Sequence, residues 1–155
     1  LVTYFENELI LAETKARNGS ITNGLTHLNN VRAWLSGGGH LNANHIGNTS
    51  KYDAYEAADF AAGGIENKDS VDPTVAFLRE VIEERYVSGF GTHMAYNDAR
   101  RLRKSDAAYA VPFTLVNGPN PPYPERMPYA TNELNSNENA PAEDPGIFTK
   151  TAVNQ

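Results

Sequence analysis

The sequence predicts a mainly α-helical protein. Apolar residues recur at intervals of three and four through two successive segments, and a second pair of such segments follows further along. Each of the first three segments ends at glycine, the residue that most readily stops a helix. Closely spaced helices joined by short turns pack as antiparallel neighbours, so the expected architecture is tetratricopeptide-like helical hairpins followed by a long irregular tail rich in Pro and Asn.

The first helix is expected over residues 4–17, where Phe5, Leu9, Ala12 and Ala16 form a stripe widened by Leu11, and Asn18-Gly19 supplies the stop. Leu1 to Phe5 enters this pattern with no leader, cap or initiator methionine, which reads as a chain cut from something longer. Ser20 is the expected N-cap of a second helix, whose stripe is Ile21, Leu25, Leu28, Val31 and Leu35 and whose end is Gly37-Gly38-Gly39. The three-residue connection makes the two helices a hairpin, with Ala12 and Ala16 small enough for close approach.

Residues 37–50 are rich in Gly, Asn and His and have almost no periodicity, which predicts a loop, and a short helix is expected over 51–62. Asp72-Pro73 is a strong helix start, followed by the stripe Val75, Leu78, Val81, Ile82 and Tyr86 as far as about Ser88. Beyond Gly89-Phe90-Gly91, Ala95, Ala99 and Leu102 predict a fourth helix ending near Lys104. Proline is then frequent from Pro112 to Pro128 and asparagine clusters from Asn132 to Asn139, predicting extended or irregular chain with a short strand over 111–116. The organisation expected is thus a hairpin at 1–37, loop and short helix at 38–71, a second hairpin at 72–104 and a wrapping tail at 105–155.

Composition narrows the function. The 155 residues are 40% hydrophobic and 21% charged, enough for a real core, and the formal net charge of −6 disfavours nucleic-acid binding, which needs surplus Lys and Arg on the contact face. With no cysteine, thiolate zinc sites, iron-sulfur clusters and cysteine nucleophiles are excluded within these residues. His40 and His45 stand five apart in a loop with no acidic third ligand, and His27 and His93 are isolated, so no metal or other cofactor is expected. No G-x-S-x-G, H-E-x-x-H or phosphate-binding glycine loop occurs, and no catalytic residue can be named. The run Arg100-Arg101-Leu102-Arg103-Lys104 is expected to form ion pairs with Glu80, Glu83 and Glu84 of the preceding helix.

Aromatic side chains can stack on the apolar face of a sugar, which makes Trp34, Tyr52, Tyr55, Tyr109 and Tyr123 worth weighing as ligand contacts. Tyr52 and Tyr55 follow the long loop and Tyr123 lies in a proline-rich one, whereas Trp34 and Tyr109 have weaker claims, Trp34 because it sits beside a core stripe.

Four segments resemble the SusD/RagB family. Phe5 to Glu13 is similar to the family's "AE-x-x-L-x-x-AEA" helix, and Leu28-Asn29-Asn30-Val31-Arg32 to its "LN-x-VR". Glu84-Arg85, then Phe90-Gly91, then Asn97-Asp98-Ala99-Arg100-Arg101 resembles the "ER...EG...DLRR" helix pair. Arg126 to Tyr129 with Asn132, Glu133 and Asn137 is similar to the terminal "R-x-x-YP-x-SE-x-NxN". Ala130 and Gly89 depart from the family pattern. The motif residues Glu84, Arg85, Asn97, Asp98, Arg100, Arg101, Arg126, Tyr129 and Glu133 look structural in that family.

The resemblance implies a non-catalytic component that binds an oligosaccharide or polysaccharide nutrient, or a peptide, at the outer-membrane surface of a Bacteroidota-type bacterium. It implies a SusC-like TonB-dependent transporter as partner, a lipid anchor on an N-terminal cysteine, and an N-terminal portion beyond the residues in hand. The alternative from the residues alone is a helical-hairpin scaffold for protein–protein interaction. The wide apolar stripes of the four helices predict an exposed apolar face where the N-terminal portion would dock.

Overall fold

The computed structural model describes residues 2–41, 52–102, 106–111 and 124–150. Those residues form a mainly helical protein, with helices α1 (Tyr4–Asn18), α2 (Ile21–Ser36), α3 (Pro73–Ser88), α4 (Met94–Leu102) and α5 (Thr131–Ser136), and no strand among them. The expected strand at 111–116 lies outside the described residues except for Val111, which belongs to no regular element.

α1 does have a cap, contrary to the expectation from its abrupt start. The Glu6 amide donates to the Thr3 hydroxyl at 3.4 Å and the Thr3 amide donates to the Glu6 carboxylate at 3.3 Å, a reciprocal capping box that satisfies two otherwise orphaned donors. Phe5, Leu9, Ala12 and Ala16 are buried as predicted, and Glu13 is buried among them. Ser20 occupies the N-cap of α2, but its side chain makes no cap bond; its carbonyl instead accepts from the Asn23 and Gly24 amides.

Partners along α1 and α2 run in opposite directions: Phe5 stacks on Trp34, Glu8 bonds to His27 and Asn30, and Ala12 meets Gly24. The hairpin is therefore antiparallel. Its tightest point is Gly24 and not the two alanines, although both alanines are buried. A Cβ on Gly24 would lie 2.7 Å from the Ala12 carbonyl oxygen and 2.8 Å from the Phe77 ring, so only glycine lets α1, α2 and α3 meet there.

The helix expected over 51–62 is reduced to one 3-10 turn at Ala57–Phe60. The preceding backbone is held extended because the Asn29 side chain captures both polar groups of Tyr55, donating to its carbonyl and accepting from its amide at 2.9 Å each. Arg32 Nε also donates to the Asp53 carbonyl at 2.6 Å, and chain so engaged cannot make helical i to i+4 bonds. Asn67, fully buried, closes the following loop by donating to the Phe60 and Val71 carbonyls and accepting from the Val71 amide.

α3 starts as the sequence indicates, with Asp72 accepting from the Thr74 amide at 2.8 Å and Pro73 in the first turn. Leu78, Val81 and Ile82 are buried, Val75 and Tyr86 only partly, and Phe77 adds the aromatic centre of the core, edge-on to Phe60 at 5.1 Å. α4 returns antiparallel to α3, with Met94 against Gly89 and Asp98 against Arg85; Leu102 is its buried end, and Lys104 lies outside the described residues.

Tyr109 packs on the core, and the Ala108 carbonyl accepts from Arg79 Nε at 2.9 Å. Residues 124–150 are not wholly irregular, since α5 lies within the Asn-rich stretch. Glu125 and Arg126 amides donate to the Ile147 carbonyl, and Arg100 donates to the Glu125 carbonyl at 3.1 Å, tying this segment to α4.

Candidate functional site

Two clusters of polar side chains stand out. The first centres on Glu13, whose side chain is only 8% exposed because it shares the face of α1 that carries Leu9 and Ala16. Arg101 donates to both of its oxygens at 2.7 and 3.0 Å, Arg85 donates to Oε2 at 2.9 Å, and Arg17 to Oε1 at 2.9 Å. Asp98 extends the cluster through Arg101 at 3.0 Å and through Arg85 Nε at 2.9 Å, while Arg17 reaches Asp106 at 3.2 Å. Three guanidinium groups thus meet three carboxylates. Burial alone would raise the Glu13 pKa, but the Arg101 hydrogen bonds and the charges of Arg101, Arg85 and Arg17 outweigh it and hold the carboxyl below its usual range.

For Arg100 and Arg101 this arrangement replaces the ion pairs expected with α3. Arg101 turns to Glu13 and Asp98, Arg100 lies near the Tyr96 ring and bonds to the Glu125 carbonyl, and Arg103 and Lys104 lie outside the described residues. Glu84, buried, accepts from the Ser88 hydroxyl at 2.6 Å; Glu83 is exposed; Glu80 faces α2 instead. Asn97 is exposed in the first turn of α4, Arg126 lies over the Tyr129 ring at 5.1 Å, and Glu133 of α5 accepts from Asn137, the residue that caps its C-terminus. Of the residues singled out from the motifs, Arg85, Asp98 and Arg101 are the ones brought together. Glu13, Arg17 and Asp106 join them without having been singled out; the available signal was a carboxylate standing on an apolar stripe.

The second cluster lies where the 52–67 segment crosses α2 and α3. The Arg32 guanidinium sits 3.8 Å from the centre of the Tyr55 ring and 5.7 Å from that of Tyr52. Tyr52 is 38% exposed, whereas Tyr55 is half-buried, edge-on to Phe60 at 5.3 Å, with its hydroxyl 2.9 Å from both Glu66 and Glu80. Tyr52 is therefore partly open to solvent with the Arg32 guanidinium over its ring, whereas the hydroxyl of Tyr55 is engaged by Glu66 and Glu80.

Trp34 lies at the far end of the α1–α2 hairpin, stacked on Phe5 at 5.8 Å with Tyr4 and His40 edge-on at 6.1 and 4.6 Å. It and Arg32 project from different faces of α2, two residues apart on a helix, so Trp34 and Tyr52 belong to separate surfaces. Tyr109 lies 5.0 Å beneath the Arg17 guanidinium, and Tyr123 is outside the described residues. His27 bonds to Glu8 at 3.0 Å and His45 is outside the described residues. Among the described residues no three His, Asp or Glu side chains form a metal-binding group, and no helix is long and apolar enough to cross a membrane. Compared with known proteins, the chain matches no family model, no curated protein and no solved structure.

Proposed function

We propose that the chain is the C-terminal helical part of a SusD/RagB-type nutrient-binding protein, a non-catalytic component of tetratricopeptide-like hairpins. It holds a glycan at the outer-membrane surface for a SusC-like TonB-dependent transporter, and a lipid anchor on the full protein keeps it there. The observation that carries this reading is the convergence of two of the four family-like segments on one ion network centred on a buried carboxylate. Glu13 closes the first of those segments, and Arg85, Asp98 and Arg101 all belong to the helix-pair segment. Segments 72 and 88 residues apart meet at one carboxylate, which supports reading them as parts of one scaffold.

On this reading the ligand edge is Tyr52, its ring held by the Arg32 guanidinium over it, and Trp34 with Tyr4 forms a second aromatic surface. Calorimetric titration of the full-length protein with polysaccharides and oligosaccharides, run beside a reducing-end assay, tests the proposal. Saturable binding without new reducing ends is expected. Failure to bind any glycan or peptide pool, or turnover that a single Glu or Asp substitution abolishes, overturns it.

A protein-interaction scaffold is the second reading, favoured by the 59% and 87% exposure of Val87 and Phe90 at the α3–α4 turn. It requires that Phe90→Asp abolish capture of a soluble protein partner by the full-length protein while leaving its fold unchanged.

A further inference from the structure

The Tyr55 hydroxyl carries one proton, yet it lies 2.9 Å from Glu66 Oε1 and 2.9 Å from Glu80 Oε1. Both contacts can be full two-centre hydrogen bonds only when a second proton is present on one of the carboxyls, because ionised carboxylates only accept. Without it, one contact sets two oxygen acceptors against each other at hydrogen-bond distance. The nearest cation, Arg32 Nη1, stands 3.9 Å from Glu80 Oε1, too far to donate to it.

The surroundings decide where that second proton sits. Burial pushes the Glu80 carboxyl up; the Tyr55 hydrogen bond opposes this, and the negative charges of Glu66, Glu83 and Glu84 reinforce it, to about 7. Burial and the Glu80 charge also push the Tyr55 phenol well above its ordinary range, so the phenol keeps its own proton. Glu80 O–H therefore donates to Tyr55, and Tyr55 O–H donates to Glu66. The charged groups facing this pair are Arg32 from α2, Glu66 from the 52–67 segment, and Glu83 and Glu84 from α3. Asp53 contributes its carbonyl to Arg32, Asp59 accepts from the Glu56 amide, and Glu8 faces His27 and Asn30.

We propose that the shared proton of the Glu66–Tyr55–Glu80 chain docks the 52–67 segment onto α2 and α3, so that the segment loosens reversibly when the chain gives this proton up. Tyr55 is the one residue whose backbone is pinned to α2 by Asn29 and whose hydroxyl reaches Glu80 of α3. Releasing its hydroxyl weakens the dock at its centre. With Glu80 raised above its usual 4.5, docking is firm in mild acid and weakens as pH rises toward and through about 7. This holds whatever ligand the protein takes.

Amide hydrogen exchange on the intact chain, corrected for the intrinsic rate at each pH, reads the effect directly. The Tyr55 and Glu66 amides, bonded to Asn29 and to the Asp59 carbonyl, are expected to lose protection by roughly tenfold to a hundredfold between about pH 5 and about pH 8. Amides of α1 serve as the reference. Glu80→Gln, whose side chain donates to Tyr55 at every pH, is expected to remove the pH dependence with protection retained. Tyr55→Phe is expected to remove it with protection lost throughout. Equal protection of the native segment at both pH values, or a pH dependence that survives in either variant, overturns the proposal.

Discussion

Arg101 grips Glu13 with both terminal nitrogens, at 2.7 and 3.0 Å, across a separation of 88 residues. Glu13 is the better buried of the two, with 8% of its side chain exposed against 43% for Arg101. Removing Glu13 takes the shared carboxylate from all three guanidinium groups, leaving Arg85 and Arg101 on Asp98 alone and Arg17 on Asp106, whereas removing Arg101 would still leave Arg85 and Arg17 on Glu13. Glu13→Ala is therefore expected to cost about 3–5 kcal/mol and Arg101→Ala clearly less, both read by urea denaturation. Equal losses would show that the network is not centred on Glu13.

The same carboxylate shapes the acid limb of stability. Glu13 and Glu8 are held below their usual 4.5: burial opposes this in both, but Arg101 hydrogen bonds outweigh it at Glu13, and Asn30 and His27 hydrogen bonds at Glu8. The unfolded chain binds these protons more readily, so the stability they contribute is present above about 4.5 and lost as pH falls through their folded values. Glu80 acts in the opposite sense, because its folded pKa is raised, and its contribution declines between 4.5 and about 7. The denaturation midpoint is expected to peak near about pH 5 and fall on both sides, with Glu13→Gln flattening the acid limb and Glu80→Gln the neutral one. A midpoint that rises steadily from pH 5 to 8 would refute this assignment.

Gly24 is expected to resist even the smallest enlargement. The methyl of Gly24→Ala would have to displace the Ala12 carbonyl or the Phe77 ring, where three helices already touch. Overpacking of this kind costs about 1–3 kcal/mol, against the gain of up to ~1 kcal/mol that alanine normally brings to a helix interior. Thermal denaturation of the variant should therefore show a lowered midpoint; an unchanged or raised one would mean the helices can part without penalty.

Much of this was legible locally, and the failures are of one kind. Asp72-Pro73, the glycine stops and the apolar spacing act within a turn or two of chain, and α1 to α3 follow them closely. The Thr3 and Glu6 capping box is just as local and is written in the sequence. What could not be read is the capture of Tyr55 by Asn29, 26 residues earlier, which turned an expected helix into an extended crossing. The partner of Arg101 was equally hidden: α3 offered nearer carboxylates, but packing brought α1 to it instead. Tyr55 was readable as a candidate ligand contact from its position after a loop, whereas its buried hydroxyl depends on Glu80, 25 residues away.

Asn67 supplies a sharper test of how that crossing is held. Its amide nitrogen donates to the Phe60 and Val71 carbonyls at 2.8 and 2.9 Å, and its oxygen accepts from the Val71 amide at 2.9 Å. Asn67→Ala removes all three bonds from a fully buried position and is expected to cost about 3 kcal/mol, near ~1 kcal/mol for each bond lost. Asn67→Asp keeps the acceptor and the shape but sets an anion against two carbonyl oxygens, so it should be at least as damaging despite its similar size. Denaturation of the two variants separates shape from hydrogen bonding: if the aspartate variant matched the native protein, the amide donors would have no structural role in closing the loop.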